Sequence, residues 1–303
     1  MRQLFTITSR NLKQYLRDRG AVFFSLLSML IVIMLMLFFL GDSSVDSITE
    51  QLAMLPGRDT SADKENATVL MLAWTCAGII GINAVTVTLS CLNFMIKDRE
   101  NGKLNAIYTA PVSRLTIAAG YILAAWLASV LVCSLTLVLT EVYCVTQGMA
   151  PYTLAQHLQL LGMICVNSFT YAALMYFVAS LVKTTGAWGG LGTVIGTLVG
   201  FLGGIYLPVG SLSDSIVSIL KCTPVLYGTA MFRSVMTQQS TDTTFAGVPA
   251  EITDIFREAM GIDLYLGEHA VTLTESLGLL AVCGLVFLSA SVLTACFRKK
   301  SDR

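Results

Sequence analysis

Long apolar runs alternate with polar ones along the whole chain: 21–40, 69–96, 117–145, 158–182, 188–207 and 277–297 carry almost no charge. A bilayer core of roughly 30 Å takes about 20 helical residues, so the pattern predicts six transmembrane helices. The second and third runs are longer than the core needs and are expected to tilt or project beyond it. Ahead of them, Leu4, Phe5, Leu12, Tyr15 and Leu16 recur at helical spacing opposite Arg10, Lys13 and Arg17. That predicts an amphipathic helix over 1–20, lying in the membrane interface. In the last long connection, 208–276, Ile216, Ile219 and Leu220, and then Ile252, Ile255, Phe256 and Met260 after Pro249, repeat the same way. Short amphipathic or re-entrant helices are expected there.

Composition excludes whole classes. Hydrophobic residues make up 55% of the 303 and charged residues only 13%, with a mean hydropathy of +0.73. Soluble domains carry about 25% charged residues. A water-soluble enzyme, a disordered chain and a basic nucleic-acid binder are therefore ruled out, and the expectation is one all-α integral membrane domain over 1–303. Net charge is zero, so placement matters more than total. Arg2, Arg10, Lys13, Arg17, Arg19, Lys97, Arg99, Lys103, Arg114, Lys183, Arg298, Lys299, Lys300 and Arg303 lie on one side of the predicted spans, and most acidic residues lie on the other. By the positive-inside rule both termini face the cytoplasm, as an even number of spans requires. The basic start followed by an apolar run resembles a signal peptide, but the run is too long and ends in Gly41-Asp42 without a cleavage signature, so it is expected to remain as the first span. Seven of the eight cysteines fall in or at the ends of spans, which offers no disulfide framework.

Candidate chemistry is sparse. His157 and His269 are the only histidines, both outside the predicted spans, and neither H-E-x-x-H nor a Cys/His metal spacing occurs. Metalloprotease and serine-hydrolase readings therefore lack their ligands and base. Glu141 is the one ionisable residue well inside a span, near its outer end, where either an interfacial role or contact with a substrate or proton fits. Asn83 and Thr86 in the second span, and Thr193 and Thr197 in the fifth, are candidates to line a path or to bond between helices. Gly192, Gly196, Gly200 and Gly204 recur every four residues in the fifth span, a spacing that lets another helix approach. Between the second and third spans, 97–114 forms a charged segment closed by Pro111, which disfavours helix in its predecessor.

In that segment Asp98, Arg99, Glu100, Gly102, Leu104, Pro111, Ser113 and Arg114 resemble the first cytoplasmic loop of type-2 ABC transporter permeases: an acidic-basic-acidic triplet, glycine, leucine, then proline with small and basic residues. Asp98 stands where glutamate is usual, Lys103 where threonine is common, and Tyr121 where a lysine often follows the glycine at Gly120. A second resemblance lies in Leu207-Pro208, Thr223-Pro224-Val225-Leu226-Tyr227 and Arg233, similar to the segment after the fifth span of the same family, with Thr223 in place of its asparagine.

The resemblance implies a six-span membrane subunit, paired with a second permease copy as a homodimer or related heterodimer, and driven by two ATPase subunits. The 97–114 loop would be the ATPase-coupling element, joined by the short turn at Lys183, and the path would run between the second and fifth spans. No G-x-x-x-x-G-K-[S/T] phosphate loop occurs in the chain, so ATP and Mg would be bound by the partner subunit and no catalytic site is expected here. An exporter of an amphipathic drug, peptide or lipid-like compound in the cytoplasmic membrane is the expectation. The alternative is a stand-alone secondary carrier or channel without an ATPase, for which Glu141 would matter more.

Overall fold

A computed structural model describes residues 2–35, 41–55, 58–104 and 112–297. The helices, in chain order, are α1 (Arg2–Arg17), α2 (Arg19–Leu35), α3 (Gly41–Ala53), α4 (Thr60–Glu100), α5 (Arg114–Thr146), α6 (Leu154–Leu181) and α7 (Thr185–Leu202). After a 3-10 turn at Val209–Ser211 come α8 (Asp214–Lys221), α9 (Pro224–Met236), α10 (Gln238–Thr244), α11 (Ala250–Ala259) and α12 (Leu273–Phe297). A two-stranded antiparallel ribbon, β1 (Tyr265–Leu266) with β2 (His269–Ala270), sits just before α12. Among the described residues everything else with regular structure is helical, and the chain is an all-α integral membrane protein.

Five helices, α4, α5, α6, α7 and α12, are long and apolar enough to cross a bilayer. The first predicted span begins as α2, whose described part has 17 residues; its last five residues, 36–40, lie outside the described region. The expectation for the last long connection is met by α8 and α9, which together are apolar enough for a span but bend by 90° at a short break, the shape of a re-entrant loop, and by α11. Pro224 sits at the first turn of α9, where its missing amide costs nothing because that donor has no partner inside a helix anyway.

The helix ends follow from local chemistry. Asp59 accepts from the Ser61 amide at the start of α4, Ser113 from the Thr116 amide at the start of α5, and Thr153 and Gln156 form a reciprocal capping box at the start of α6. The bond from Ser61 holds the Asp59 carboxyl below the usual carboxylate range.

The 41-residue α4 is about 60 Å long, twice the hydrocarbon thickness. It is the central pillar: 72% of its most apolar stretch is buried, beneath α3, α5, α6, α7 and α9. Gly81 permits this crowding, because a Cβ there would lie 2.8 Å from Thr229 Cγ2 of α9. Polar atoms tie the pillar to α6, α6 to α5, and α6 to α12. Asn167 Nδ2 donates to the Gly81 carbonyl at 3.0 Å, Ser129 donates to Ser168 at 2.9 Å, and Thr170 donates to the Leu280 carbonyl of α12 at 2.8 Å. Inside a bilayer such bonds contribute roughly 0.6 to 1.7 kcal/mol each. Cys76, Cys91, Cys133, Cys144, Cys165, Cys222 and Cys283 are free.

One expectation changes in detail. The amphipathic N-terminal helix forms, but Thr8, Asn11 and Tyr15 turn inward, with α1 packed along α5, and only Phe5 and Leu16 remain as large exposed apolar groups. Of its apolar face Tyr15 is buried, Leu4 and Leu12 are half-buried, and Phe5 and Leu16 are exposed. The close seat has a local cause: Gly120 leaves room for Ile7, whose Cγ2 would be 2.5 Å from a Cβ at that position.

Candidate functional site

The segment that leaves α4 organises one end of the molecule. α4 stops at Glu100 because Gly102 takes a left-handed backbone (φ 70), closing the helix with bonds from the Asn101 and Gly102 amides to the Lys97 and Arg99 carbonyls. Asp98, Arg99 and Glu100 then point to three different parts of the same subunit.

Asp98 is buried, 4% exposed. Its Oδ2 accepts from Arg10 Nη2 of α1 at 2.8 Å and from the Tyr121 hydroxyl of α5 at 2.9 Å. Two departures from the family pattern therefore meet: the shorter acid at 98 is matched by a tyrosine at 121, while the positive charge comes from α1. Burial alone would lower the Arg10 pKa, but its bonds to Asp98 and Tyr121 and the attraction of the carboxylate outweigh that and leave it raised.

Arg99 reaches the end of α6. Its Nη1 donates to the carbonyls of Ala179 at 3.0 Å, of Ser180 at 3.4 Å and of Val182. Glu100 reaches the start of α7, where its Oε2 accepts from the Thr185 amide at 3.1 Å and the Thr185 hydroxyl at 2.5 Å. A cation thus sits at a helix C-terminus and an anion at the next helix N-terminus, each complementing the local dipole. Lys183, exposed, lies in the turn these two residues grip. Lys97, Gly102 and Lys103 are exposed and Leu104 is buried. Ser113 caps α5 and Arg114 opens it, whereas Pro111 lies outside the described residues.

α7 is the second notable feature. Trp188 Nε1 donates to the Leu89 carbonyl at 3.2 Å and Gly192 faces the Leu89 side chain, which together seat one flank of α7 on α4. Gly186, Gly189, Gly190, Thr193, Gly196 and Thr197 are exposed beside that seat, and the four glycines spaced four apart have four different surroundings. Gly192 meets α4, Gly196 meets nothing within 4 Å, Gly200 lies under the Tyr206 ring, and Gly204 lies past the helix end with φ 60. The hydroxyls of Thr193 and Thr197 bond back to the Gly189 and Thr193 carbonyls at 3.1 and 2.9 Å, so methyl groups and glycine backbone make up this face.

The family model described as ABC-2 family transporter protein matches residues 45–293. The chain belongs to the ABC-2 transporter family. It is therefore a membrane-embedded permease component of an ABC transporter, a family membership that implies an ABC ATPase partner. A search of curated proteins found no match.

Within this ABC-2 subunit the other candidates are held internally. Asn83 is buried and donates to Thr136 Oγ1 of α5 at 3.1 Å, and Thr86 bonds to the Asn83 carbonyl at 3.1 Å. Both carboxylate oxygens of Glu141 are engaged: Oε1 accepts from the Tyr152 amide at 3.0 Å, and Oε2 lies 2.8 Å from His157 Nε2. Together they staple the turn between α5 and α6. Among the described residues no group of three or more His, Cys, Asp or Glu is placed to hold a metal.

At the other end of the molecule, Arg233 is fully buried and among the described residues no carboxylate pairs with it. Its Cζ lies 4.1 Å from the centroid of the Trp74 ring. Nη2 donates to the Gly204 carbonyl at 2.9 Å and Nη1 approaches the Met260 carbonyl at 3.5 Å. Those carbonyls close α7 and α11, so two negative helix ends and an aromatic face stand in for an acid. Nearby cations are conventionally paired. Arg257 grips Asp263 through two bonds, which raise its pKa, and Arg58 joins Asp63 to the Thr244 and Ala246 carbonyls, its pKa raised first by the Asp63 bond.

Sequence reasoning missed Arg10, Tyr121, Thr185, His157 and Trp74 as partners. Only the pair Glu141 and His157 had a usable signal: the short turn at 147–153 joins two antiparallel helices, which places residues near its two ends side by side.

Proposed function

We propose that the chain is the membrane subunit of an ATP-driven exporter in the cytoplasmic membrane, with both termini cytoplasmic, working as a pair of permease copies with two ATPase subunits that bind ATP and Mg. The observation that carries this reading is the bare face of α7. Glycine backbone and threonine methyls form a smooth strip on a helix otherwise apolar, and two such strips pack closely against each other in a bilayer. A water-filled channel would instead be served by free hydroxyls. Residues 97–114, with Lys183 beside them, receive the partner ATPase on the basic side of the molecule. Nucleotide binding draws the ATPases together, and the two α7 faces part or close as the subunits rock, giving alternating access. The strip, together with Thr86 of α4, suits an amphipathic solute such as a drug, peptide or lipid-like compound better than an ion. Glu141, the acid that a proton-linked carrier would use, is occupied by Tyr152 and His157, which favours the ATP-driven reading.

The test is uptake of a fluorescent lipophilic cation into inverted membrane vesicles containing this chain and its ATPase, against vesicles whose ATPase cannot hydrolyse ATP. ATP-dependent accumulation only with the active ATPase is expected. Movement that persists without ATP would replace this reading with the carrier or channel.

A further inference from the structure

The two charged residues that end α4 join it mechanically to α7. Arg99 and Glu100 are consecutive and of opposite charge, and each meets the helix end of opposite polarity on either side of one short turn. Arg99 Nη1 holds the last carbonyls of α6, and Glu100 Oε2 holds the first amide and hydroxyl of α7. The turn between them, 182–184, is too short to absorb much displacement. Only 17% of the apolar stretch of α7 is buried: its near end is seated on α4 by the Trp188 bond and the Gly192 contact, and its far end is held by the buried Val199 and by the Arg233 bond to the Gly204 carbonyl, with the middle around Thr193, Gly196 and Thr197 left open. A push on the end of α4 therefore reaches α7 at the point where it is gripped, while the far end of α7 is held by Val199 and Arg233. The third acid, Asp98, is anchored instead on α1 and α5, which gives the pivot a fixed side.

We infer that Arg99 and Glu100 are positioning residues that carry displacement of the 97–104 segment onto α7, with the Glu100–Thr185 bonds as the grip. This rests on the reading that 97–104 meets the ATPase. The triplet bonds to the subunit's own helices, Asp98 buried, Arg99 half-buried and Glu100 still exposed, while Lys97, Asn101 and Lys103 face outward beside it.

Hydrogen–deuterium exchange on the full permease–ATPase complex in lipid nanodiscs tests this without a transported solute. Peptides covering 97–104 and 184–192 are compared in the nucleotide-free state and with ATP and vanadate. In the wild type both are expected to change protection together. In Glu100→Ala the 97–104 response is expected to persist while the 184–192 response is lost, and exchange of the first α7 amides rises about fivefold in the resting state as their cap goes. Glu100→Gln, which keeps an oxygen for the Thr185 amide and hydroxyl, is expected to restore most of the α7 response. An α7 response unchanged in Glu100→Ala, or a glutamine variant as silent as the alanine one, would overturn the inference. A wild-type 97–104 segment indifferent to nucleotide would instead bring down the ATPase-contact reading, and this inference with it.

Discussion

α7 and α12 are equally bare in the single chain: in each, only 17% of the most apolar stretch is buried. What they expose differs. α12 presents Leu279, Val282, Leu285, Val286 and Leu293, large side chains that find in lipid tails what they would find in a protein core. α7 presents Gly186, Gly189, Gly190, Thr193, Gly196 and Thr197 along an arc about 120° wide at 3.6 residues per turn, with Val194, Leu198 and Phe201 on the adjoining flank. Glycine gains little from lipid and weakens a helix by about 0.5 to 1 kcal/mol relative to alanine, so an arc of it facing hydrocarbon has no local benefit. Bareness alone does not distinguish a lipid-facing helix from one awaiting a protein partner. The size of the exposed side chains does.

A lysine at the middle of α12 attacks that distinction most strongly. Leu285→Lys places a charge where the comparison puts hydrocarbon, and is expected to cost about 2.5 to 3.5 kcal/mol of insertion free energy. A glycosylation reporter placed after α12 measures the inserted fraction. Full insertion would mean that α12 faces water or another protein, and the contrast with α7 would collapse.

The next largest effect lies on α7. Gly196→Leu fills space that is open in the single chain, where no atom lies within 4 Å of the added Cβ. If a second copy packs there, overpacking of about 1 to 3 kcal/mol per site weakens pairing by roughly tenfold to a hundredfold. Single-molecule photobleaching in liposomes at falling protein-to-lipid ratio reads the dimer fraction. Val286→Leu on α12 is the control, with an expected change within about 0.5 kcal/mol. Equal behaviour of the two variants would move the subunit contact away from α7.

Much of this fold was legible before any coordinates. Apolar runs located the membrane helices, although α4 begins at Thr60, well before its apolar run at 69, and the isoleucine spacing and Pro249 marked α8 and α11 of the last connection, because both signals are local. The site was less legible for a physical reason: its bonds join residues far apart in the chain. Nothing around Asp98 announces Arg10, 88 positions earlier, and nothing near Glu100 announces the α7 amide that it caps. The triplet read as a solvated, partner-facing knob because charge is normally exposed. Helix ends supply part of the exception: the last carbonyls of α6 take the half-buried Arg99, and the first amide of α7 holds Glu100, which stays exposed. Arg233 illustrates the same point at the other end of the molecule, where the carbonyls of Gly204 and Met260 do the work of a carboxylate. The glycine repeat was visible, but not its division among four surroundings, which depends on where the Tyr206 ring and Leu89 lie.

That division provides the finest test, within α7 itself. At Gly200 an added Cβ would lie 2.3 Å from the Tyr206 ring, so Gly200→Ala is expected to destabilise the single chain by about 1 kcal/mol, the low end for overpacking because the ring can swing aside. At Gly196 the same substitution meets open space, and alanine's helix preference should stabilise the detergent-solubilised monomer by roughly 0.5 to 1 kcal/mol. In the paired state the sign at Gly196 should reverse, since the methyl then separates two helix backbones that the glycine had allowed to touch. Thermal unfolding of monomer and dimer, recorded for both variants, gives four shifts, of which only Gly196→Ala in the monomer should be upward. A Gly196→Ala shift of the same sign in monomer and dimer would leave the exposed glycines of α7 without a partner, and the smooth strip would have to be explained by motion of the helix within one subunit.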